Sequence, residues 1–361
     1  MNICFLLGHL TANGGIGRAT SLLANHIVTT SDINCTIMSY YNTKKPSFYL
    51  INPSITLDYL QDDYTSMYKF LLTKGYKKLE KYLKEHSVDI LIACGALFFP
   101  VSVLATKNIK TRCICWEHTA PEMNSDYRFQ SLARKYGIKR SDLNVVLTKK
   151  ALMTYINKFK CSNTLQIYNP IDPMVSEYSR EYRVDSRKIV SVGRLSYPKN
   201  FGLAIEVAAE VLKKHPDWTW DIYGEGDERP ILEQKIKDYG VEGKIFLCGQ
   251  VDNLYKLYNE YSFMVMTSRY EGFPMSLLEG LGNGLPLISF DIETGPNEII
   301  HNNVNGFLLE NGNKESMVKK IEQLIMNQDM RIRMSNNSHS FSNQFSINTI
   351  LNQWITLCQI M

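Results

Sequence analysis

The stretch Tyr270-Glu271-Gly272-Phe273-Pro274-Met275-Ser276-Leu277-Leu278-Glu279 stands just after a short apolar run, Phe263 to Met266, that reads as a buried strand. Gly272 and Pro274 break that run, and Pro274 is well placed as the first residue of a new helix. Glu271 then falls in the turn, with Glu279 a turn or so inside the helix. A strand that ends in a tight turn and a helix start aims backbone N–H groups at one spot, which suits an anion, phosphate above all. Carboxylates on both sides of a phosphate site repel it unless they hold hydroxyl groups. Phosphate flanked by hydroxyls describes a nucleotide sugar.

Two glutamates by themselves fit a solvated loop residue and a helix-surface residue equally well, so the surroundings decide. Upstream, Ile189 to Gly193 reads as another buried strand, followed by Arg194-Leu195-Ser196-Tyr197-Pro198-Lys199-Asn200 and then a helix. Ligands of open α/β sheets bind at the carboxyl ends of strands. Arg194 and Lys199 stand there as a pair of cations able to clamp a diphosphate without a metal.

These residues resemble a known family. Arg194 and Lys199 in VGRLSYPKN, with Glu271 and Glu279 in RYEGFPMSLLEGLGNGLPLISFD, are similar to the E-x7-E signature of retaining glycosyltransferases of family 4. The resemblance is strong over residues 185–310 and loose in the amino-terminal half. It implies a GT-B fold, two Rossmann-like doubly wound α/β domains facing across a cleft. It also implies that Glu279 accepts hydrogen bonds from the ribose hydroxyls, a task suited to a group with acceptors only. By the same resemblance Arg194 and Lys199 neutralise the diphosphate, and Glu271 orients the donor sugar. Gly15, Gly224, Val251 and the run Gly272, Phe273, Pro274, Met275, Ser276, Leu277 line the donor, with amides near Ser276 and Leu277 joining the cations at the phosphates.

The resemblance implies retention of anomeric configuration, by same-face attack in which the departing phosphate takes the proton; whether a covalent sugar–enzyme intermediate forms is not readable from the residues. There is no D-x-D triplet to hold a metal; Asp62-Asp63 and Asp291-Ile292-Glu293 are poor substitutes, so no metal or other cofactor is expected. The loop from Thr294 to Ile300 looks like that of surface-polysaccharide hexosyl- and N-acetylhexosaminyl-transferases, which favours a UDP-sugar donor, with GDP-mannose the rival. The acceptor expected from the resemblance is an oligosaccharide, lipid-linked as in capsule, O-antigen or lipopolysaccharide assembly.

At 361 residues, with 44% hydrophobic and 21% charged positions, the chain suits two soluble domains, each with its own core. The expected division is residues 1–170, a linker at 171–188, and residues 189–345, with a terminal helix at about 346–361 packing back on the first domain. The eight cysteines are scattered and none forms a C-x-x-C pair, which argues for buried thiols over a disulfide framework or zinc site. Met1 to Leu7 lacks a basic n-region and reads as a strand, not a signal peptide. Ile90 to Ala105 is too short to span a membrane and is interrupted by Gly95, Pro100 and Ser102, so a buried strand running into a helix is expected. A cytoplasmic protein is the expectation.

Residues 1–170 hold 21 Lys/Arg against 11 Asp/Glu, whereas the remainder holds 19 against 25. The first half therefore points at something anionic, or simply carries a solvated basic surface. Tyr64 to His86 reads as one long helix, with Tyr68, Leu71, Leu72, Tyr76, Leu79 and Leu83 as its apolar stripe and six lysines on other faces. A core-facing stripe with a solvated back is the plain meaning. A surface for anionic lipid headgroups, helped by Arg134, Lys135, Lys139 and Arg140, is the sharper one, placing the protein at the inner face of the membrane. No nucleic-acid partner is expected.

After the first strand, the segment His9 to Arg18 is glycine-rich and leads into a helix from about Ala19. Thr20 stands where a dinucleotide fingerprint wants its third glycine, so as a nicotinamide signal the segment is weak. His118 follows the apolar run Arg112 to Trp116 beside Glu117, a place for a hydrogen-bond donor or proton relay, and the resemblance puts a histidine there at the sugar-transfer site. Two other classes of function stay open. A nucleotide-sugar epimerase would need a second acid cluster in the first domain, where Glu117 and Glu122 are the candidates; a binding module without catalysis would need none.

Overall fold

The protein is described here by a computed structural model covering residues 1–11, 14–121, 128–179, 181–251 and 253–361. Two sets of parallel strands organise it. The first comprises β1 (Asn2–Leu7), β2 (Asn34–Ser39), β3 (Thr56–Tyr59), β4 (Ile90–Cys94), β5 (Arg112–Glu117), β6 (Leu143–Val146) and β7 (Thr164–Gln166), in the order β3-β2-β1-β4-β5-β6-β7. The second comprises β8 (Lys188–Val192), β9 (Thr219–Tyr223), β10 (Ile245–Gly249), β11 (Phe263–Met266), β12 (Leu287–Asp291) and β13 (Gly306–Glu310), in the order β10-β9-β8-β11-β12-β13. Central strands such as β4 and β11 are buried along their whole length, as parallel strands covered by helices on both faces must be.

The chain divides into two compact units, Met1–Pro170 with Ile347–Met361, and Ile171–Ser346. The terminal helix Ile347–Ile360 packs in the first unit, where Trp354 is fully buried against Trp116 at 4.9 Å between ring centroids. Residues 171–188 lie in the second unit, with Val175 buried and the Val184 carbonyl accepting from Arg331 at 2.9 Å. All eight cysteines are free thiols, seven of them buried. Among the described residues, no helix is long and apolar enough to cross a membrane.

Three helix expectations are corrected. The helix after β1 starts at Gly15, not near Ala19, and runs to Thr30. Tyr49 holds its start, its hydroxyl bonding both the amide and the carbonyl of Gly14 at 2.7 Å. Residues 64–86 form two helices, Met67–Leu72 and Tyr76–Glu85, because Lys74 is left-handed (φ 56°) and Gly75 lies so close to the Phe70 ring that a Cβ would sit 2.5 Å away. The break rotates the stripe: Met67, Phe70, Leu79 and Leu83 are buried, while Tyr68 and Leu72 are exposed. Pro274 is the extended residue preceding the helix Met275–Gly282 (ψ 104°), not its first residue.

In the first unit, Gly137 of the helix Arg128–Ile138 lies against Phe99 of the helix Phe99–Thr106, so that an added Cβ would stand 2.2 Å from the Phe99 Cβ. Phe99 is fully buried and has nowhere to retreat. Gly137→Ala is expected to destabilise the first unit by about 1–3 kcal/mol through overpacking, read as a lowered midpoint in urea unfolding.

Candidate functional site

In the second sheet the chain leaves β8 toward β9 and β10 on one side, then crosses to β11, β12 and β13 on the other. The loops after β8 and β11 therefore leave neighbouring strands in opposite directions, which opens a crevice at their carboxyl ends. Parallel pairing of Phe263 with Ile189 and of Met264 with Val190 sets the two loops level.

The loop after β8 carries Arg194, exposed, and Lys199, which ends the 3-10 turn Tyr197–Lys199. The loop after β11 carries Glu271. The structure brings Lys199 and Glu271 together: Lys199 Nζ lies 2.5 Å from Glu271 Oε1, with the two side chains 22% and 14% exposed. Gly193 makes room for the lysine stem, since a Cβ there would approach Lys199 Cε to 3.0 Å.

Hydroxyls hold this pair from below. Ser268, buried, donates to the same Glu271 Oε1 at 2.7 Å. Thr294, also buried, donates to the Glu271 carbonyl at 2.6 Å. Thr267 donates to the carbonyls of Lys199 (3.0 Å) and Asn200 (3.2 Å). Arg269 completes the lacing, donating to Asn200 Oδ1 at 2.7 Å and standing over the Tyr197 ring. Both charged groups are thus fixed at backbone and side chain alike. Ser268 and Thr294 were missed by sequence reasoning, although Ser268 stands only three residues before Glu271.

Glu279, in the helix Met275–Gly282, is 4% exposed and accepts from Tyr258 Oη at 2.7 Å on Oε2. Tyr258, fully buried, is a second residue that no pattern announced. Gly272, Met275 and Ser276 are partly exposed on the turn and the first helical turn, whereas Phe273 and Pro274 are buried. Phe273 faces the Phe345 ring at 5.8 Å, a core contact. The Leu277 amide bonds the Pro274 carbonyl at 3.1 Å and is therefore already engaged. Gly224 (φ 138°) sits where a Cβ would meet the Gly193 carbonyl at 1.9 Å, so the close approach of the loops after β8 and β9 requires glycine. Val251 lies half-buried after β10. Among the described residues, no group of three His, Cys, Asp or Glu side chains is arranged to hold a metal ion.

The first unit holds Gly15, exposed at its helix start, and His118, just past β5. The carboxylate beside His118 is engaged elsewhere: Glu117 accepts from Arg134 Nε (2.5 Å), from Tyr155 Oη (3.1 Å) and from Thr119 Oγ1 (2.7 Å). Arg134 is accordingly buried and is removed from the basic surface expected to include it, while Lys135, Lys139 and Arg140 remain exposed. Glu122 lies outside the described residues. His118 itself is buried against Trp116 at 4.2 Å between ring centroids, and among the described residues its Nε2 has no hydrogen-bond partner. Burial lowers its pKa to about 3. At neutral pH the ring is uncharged, able to donate one hydrogen bond but not to act as an imidazolium.

Residues 177–341, within the second unit, match the family described as Glycosyl transferases group 1. The amylovoran biosynthesis glycosyltransferase AmsD of Erwinia amylovora is 28% identical over 365 residues, spanning 98% of each chain. The GalNAc-alpha-(1->4)-GalNAc-alpha-(1->3)-diNAcBac-PP-undecaprenol alpha-1,4-N-acetyl-D-galactosaminyltransferase of Campylobacter jejuni is 25% identical over 369 residues, spanning 99% of this chain and 98% of its own. Among solved structures, TarM of S. aureus, crystallised with UDP, alpha-GlcNAc-glycerol and fondaparinux, is similar with a TM-score of 0.84 at 18% identity over 99% of each chain. The two parallel-sheet units have the GT-B fold.

The buried His118 ties stability to pH. An unfolded histidine binds a proton below about pH 6.5, whereas this one stays neutral down to about 3. The shift therefore costs the fold nothing above pH 6.5 and progressively more as pH falls, because only the unfolded chain takes up the proton, by about 1.4 kcal/mol per pH unit. Between pH 7 and pH 5 the wild type is expected to lose up to about 2 kcal/mol more in urea unfolding than His118→Phe.

Proposed function

We propose that this protein is a retaining, metal-independent glycosyltransferase of family 4, moving a hexose or N-acetylhexosamine from a UDP-sugar to an oligosaccharide acceptor in bacterial surface-polysaccharide synthesis. One observation carries the reading most: Lys199 and Glu271 meet at the switch point of the second sheet, flanked by Arg194 on one loop and Glu279 on the next helix. A cation there meets the charge that grows on the diphosphate as the sugar bond breaks, and stabilising developing charge is the largest lever such a site has. Glu271 takes the sugar hydroxyls and Glu279 the ribose hydroxyls, both roles that need acceptors. His118 offers one hydrogen bond to the transferred sugar as a neutral donor.

The UDP found with TarM and the undecaprenol-linked substrate in the Campylobacter enzyme's name support a uridine donor and a lipid-linked acceptor for this chain. Contact with an anionic membrane fits the exposed Tyr68 and Leu72 beside Lys69, Lys74, Lys77, Lys78, Lys81 and Lys84, all exposed. GDP-mannose remains the rival donor.

Incubation with UDP-galactose, UDP-glucose and UDP-GlcNAc should give slow release of UDP from one of them, undiminished by EDTA. A changed sugar without release would mean an epimerase, and binding without either a module. Arg194→Ala and Lys199→Ala should each lower turnover by at least about a hundredfold. Ser268→Ala, which removes one hydrogen bond to a charged group, should cost about tenfold. NMR of the product should show retained anomeric configuration; inversion would remove the protein from the proposed family.

A further inference from the structure

The contact between Lys199 and Glu271 has a consequence for the order of binding and release. A diphosphate held by Lys199 and a carboxylate 2.5 Å from the same ammonium compete for one cation. The competition is built in. Ser268 holds the Glu271 oxygen that faces Lys199, Thr294 holds the Glu271 carbonyl, and Thr267 holds the Lys199 carbonyl. Gly193 lies under the lysine stem, and neither side chain is more than a quarter exposed. Such a pair is not one of the solvated surface pairs that contribute nothing measurable.

An intact nucleotide sugar and the nucleoside diphosphate it leaves behind differ in what they offer this pair. Both draw Lys199 onto phosphate. Only the intact donor also brings hydroxyls to Glu271, which replace the ammonium it has lost. The diphosphate alone leaves a partly buried carboxylate without its counter-charge, held by the Ser268 hydroxyl and facing an anion of the same sign. Partly desolvated and without a cation, that carboxylate is costly.

We propose that Glu271 acts as an internal competitor for Lys199, which favours the intact donor over the product and drives the nucleoside diphosphate out after transfer. Glu271 is thereby a specificity-determining residue for the sugar-bearing form of the nucleotide. This rests on the reading of Lys199 as a diphosphate ligand given above.

The test is the affinity for UDP, measured by calorimetry on the full chain, for wild type, Glu271→Gln, Lys199→Met and the double variant. Glu271→Gln is expected to bind UDP about three- to tenfold more tightly than wild type, because the cation is freed. In the Lys199→Met background the same change should alter UDP affinity by less than about twofold. Glu271→Asp, which keeps the charge but shortens the reach, should also tighten UDP, and serves if the glutamine variant does not fold. The proposal is overturned if Glu271→Gln binds UDP no more tightly, or if the tightening persists without Lys199, which would mark a general field effect. Failure of wild type to bind UDP at millimolar concentration would strike the donor reading itself, and the proposal with it. UDP binding that is weakened by Arg194→Ala but indifferent to Glu271 would leave the donor reading standing and remove the proposal alone.

Discussion

The second sheet reverses its winding direction between β8 and β11, and the candidate site follows from that single fact. Neighbouring strands whose connections depart to opposite sides leave their first loop residues facing one another across an open edge. Lys199 and Glu271 fill that edge and close it with an ion pair at 2.5 Å. Strand pairing alone puts the two loops side by side. Keeping a lysine and a glutamate in register there takes hydroxyls: Thr267 ties the loop after β11 to the loop after β8, while Ser268 and Thr294 hold Glu271 itself.

A carboxylate at or past the end of a buried strand can be held in different ways, and this chain shows two of them. Glu117, the last residue of β5, is 1% exposed and takes hydrogen bonds from an arginine, a tyrosine and a threonine side chain. Breaking that network would leave a buried charge unpaired, a cost of about 3–5 kcal/mol. Glu271 is more exposed and, among the described residues, its side-chain partners are an ammonium and one hydroxyl, both on the oxygen Oε1. A group held in this way is placed accurately yet can exchange partners. The difference between the two acids is one of saturation and not of burial alone.

Much of this arrangement was legible in the sequence because buried parallel strands announce themselves as short apolar runs. Phe263–Met266 and the run ending at Gly193 marked the two strands whose ends matter, and the charged residues just beyond them marked the site. Contacts between distant hydroxyls and their carbonyl or carboxylate acceptors left no such trace. Thr294 is 23 residues from Glu271, and Tyr258 is 21 from Glu279. The split of residues 64–86 into two helices was hidden too, since helical periodicity alone does not show that Lys74 turns left-handed or that Phe70 folds over Gly75. The neutrality of His118 comes from tertiary burial, which a local pattern beside Glu117 could only misrepresent.

The account stands on the two cations after β8 gripping a diphosphate, and a crystal structure of the protein with UDP addresses that most directly. The account predicts the Lys199 ammonium and the Arg194 guanidinium within about 3 Å of diphosphate oxygens, with Lys199 drawn away from Glu271 and the ribose hydroxyls on Glu279. A diphosphate bound elsewhere, with Lys199 still paired to Glu271 and Arg194 turned aside, would contradict it.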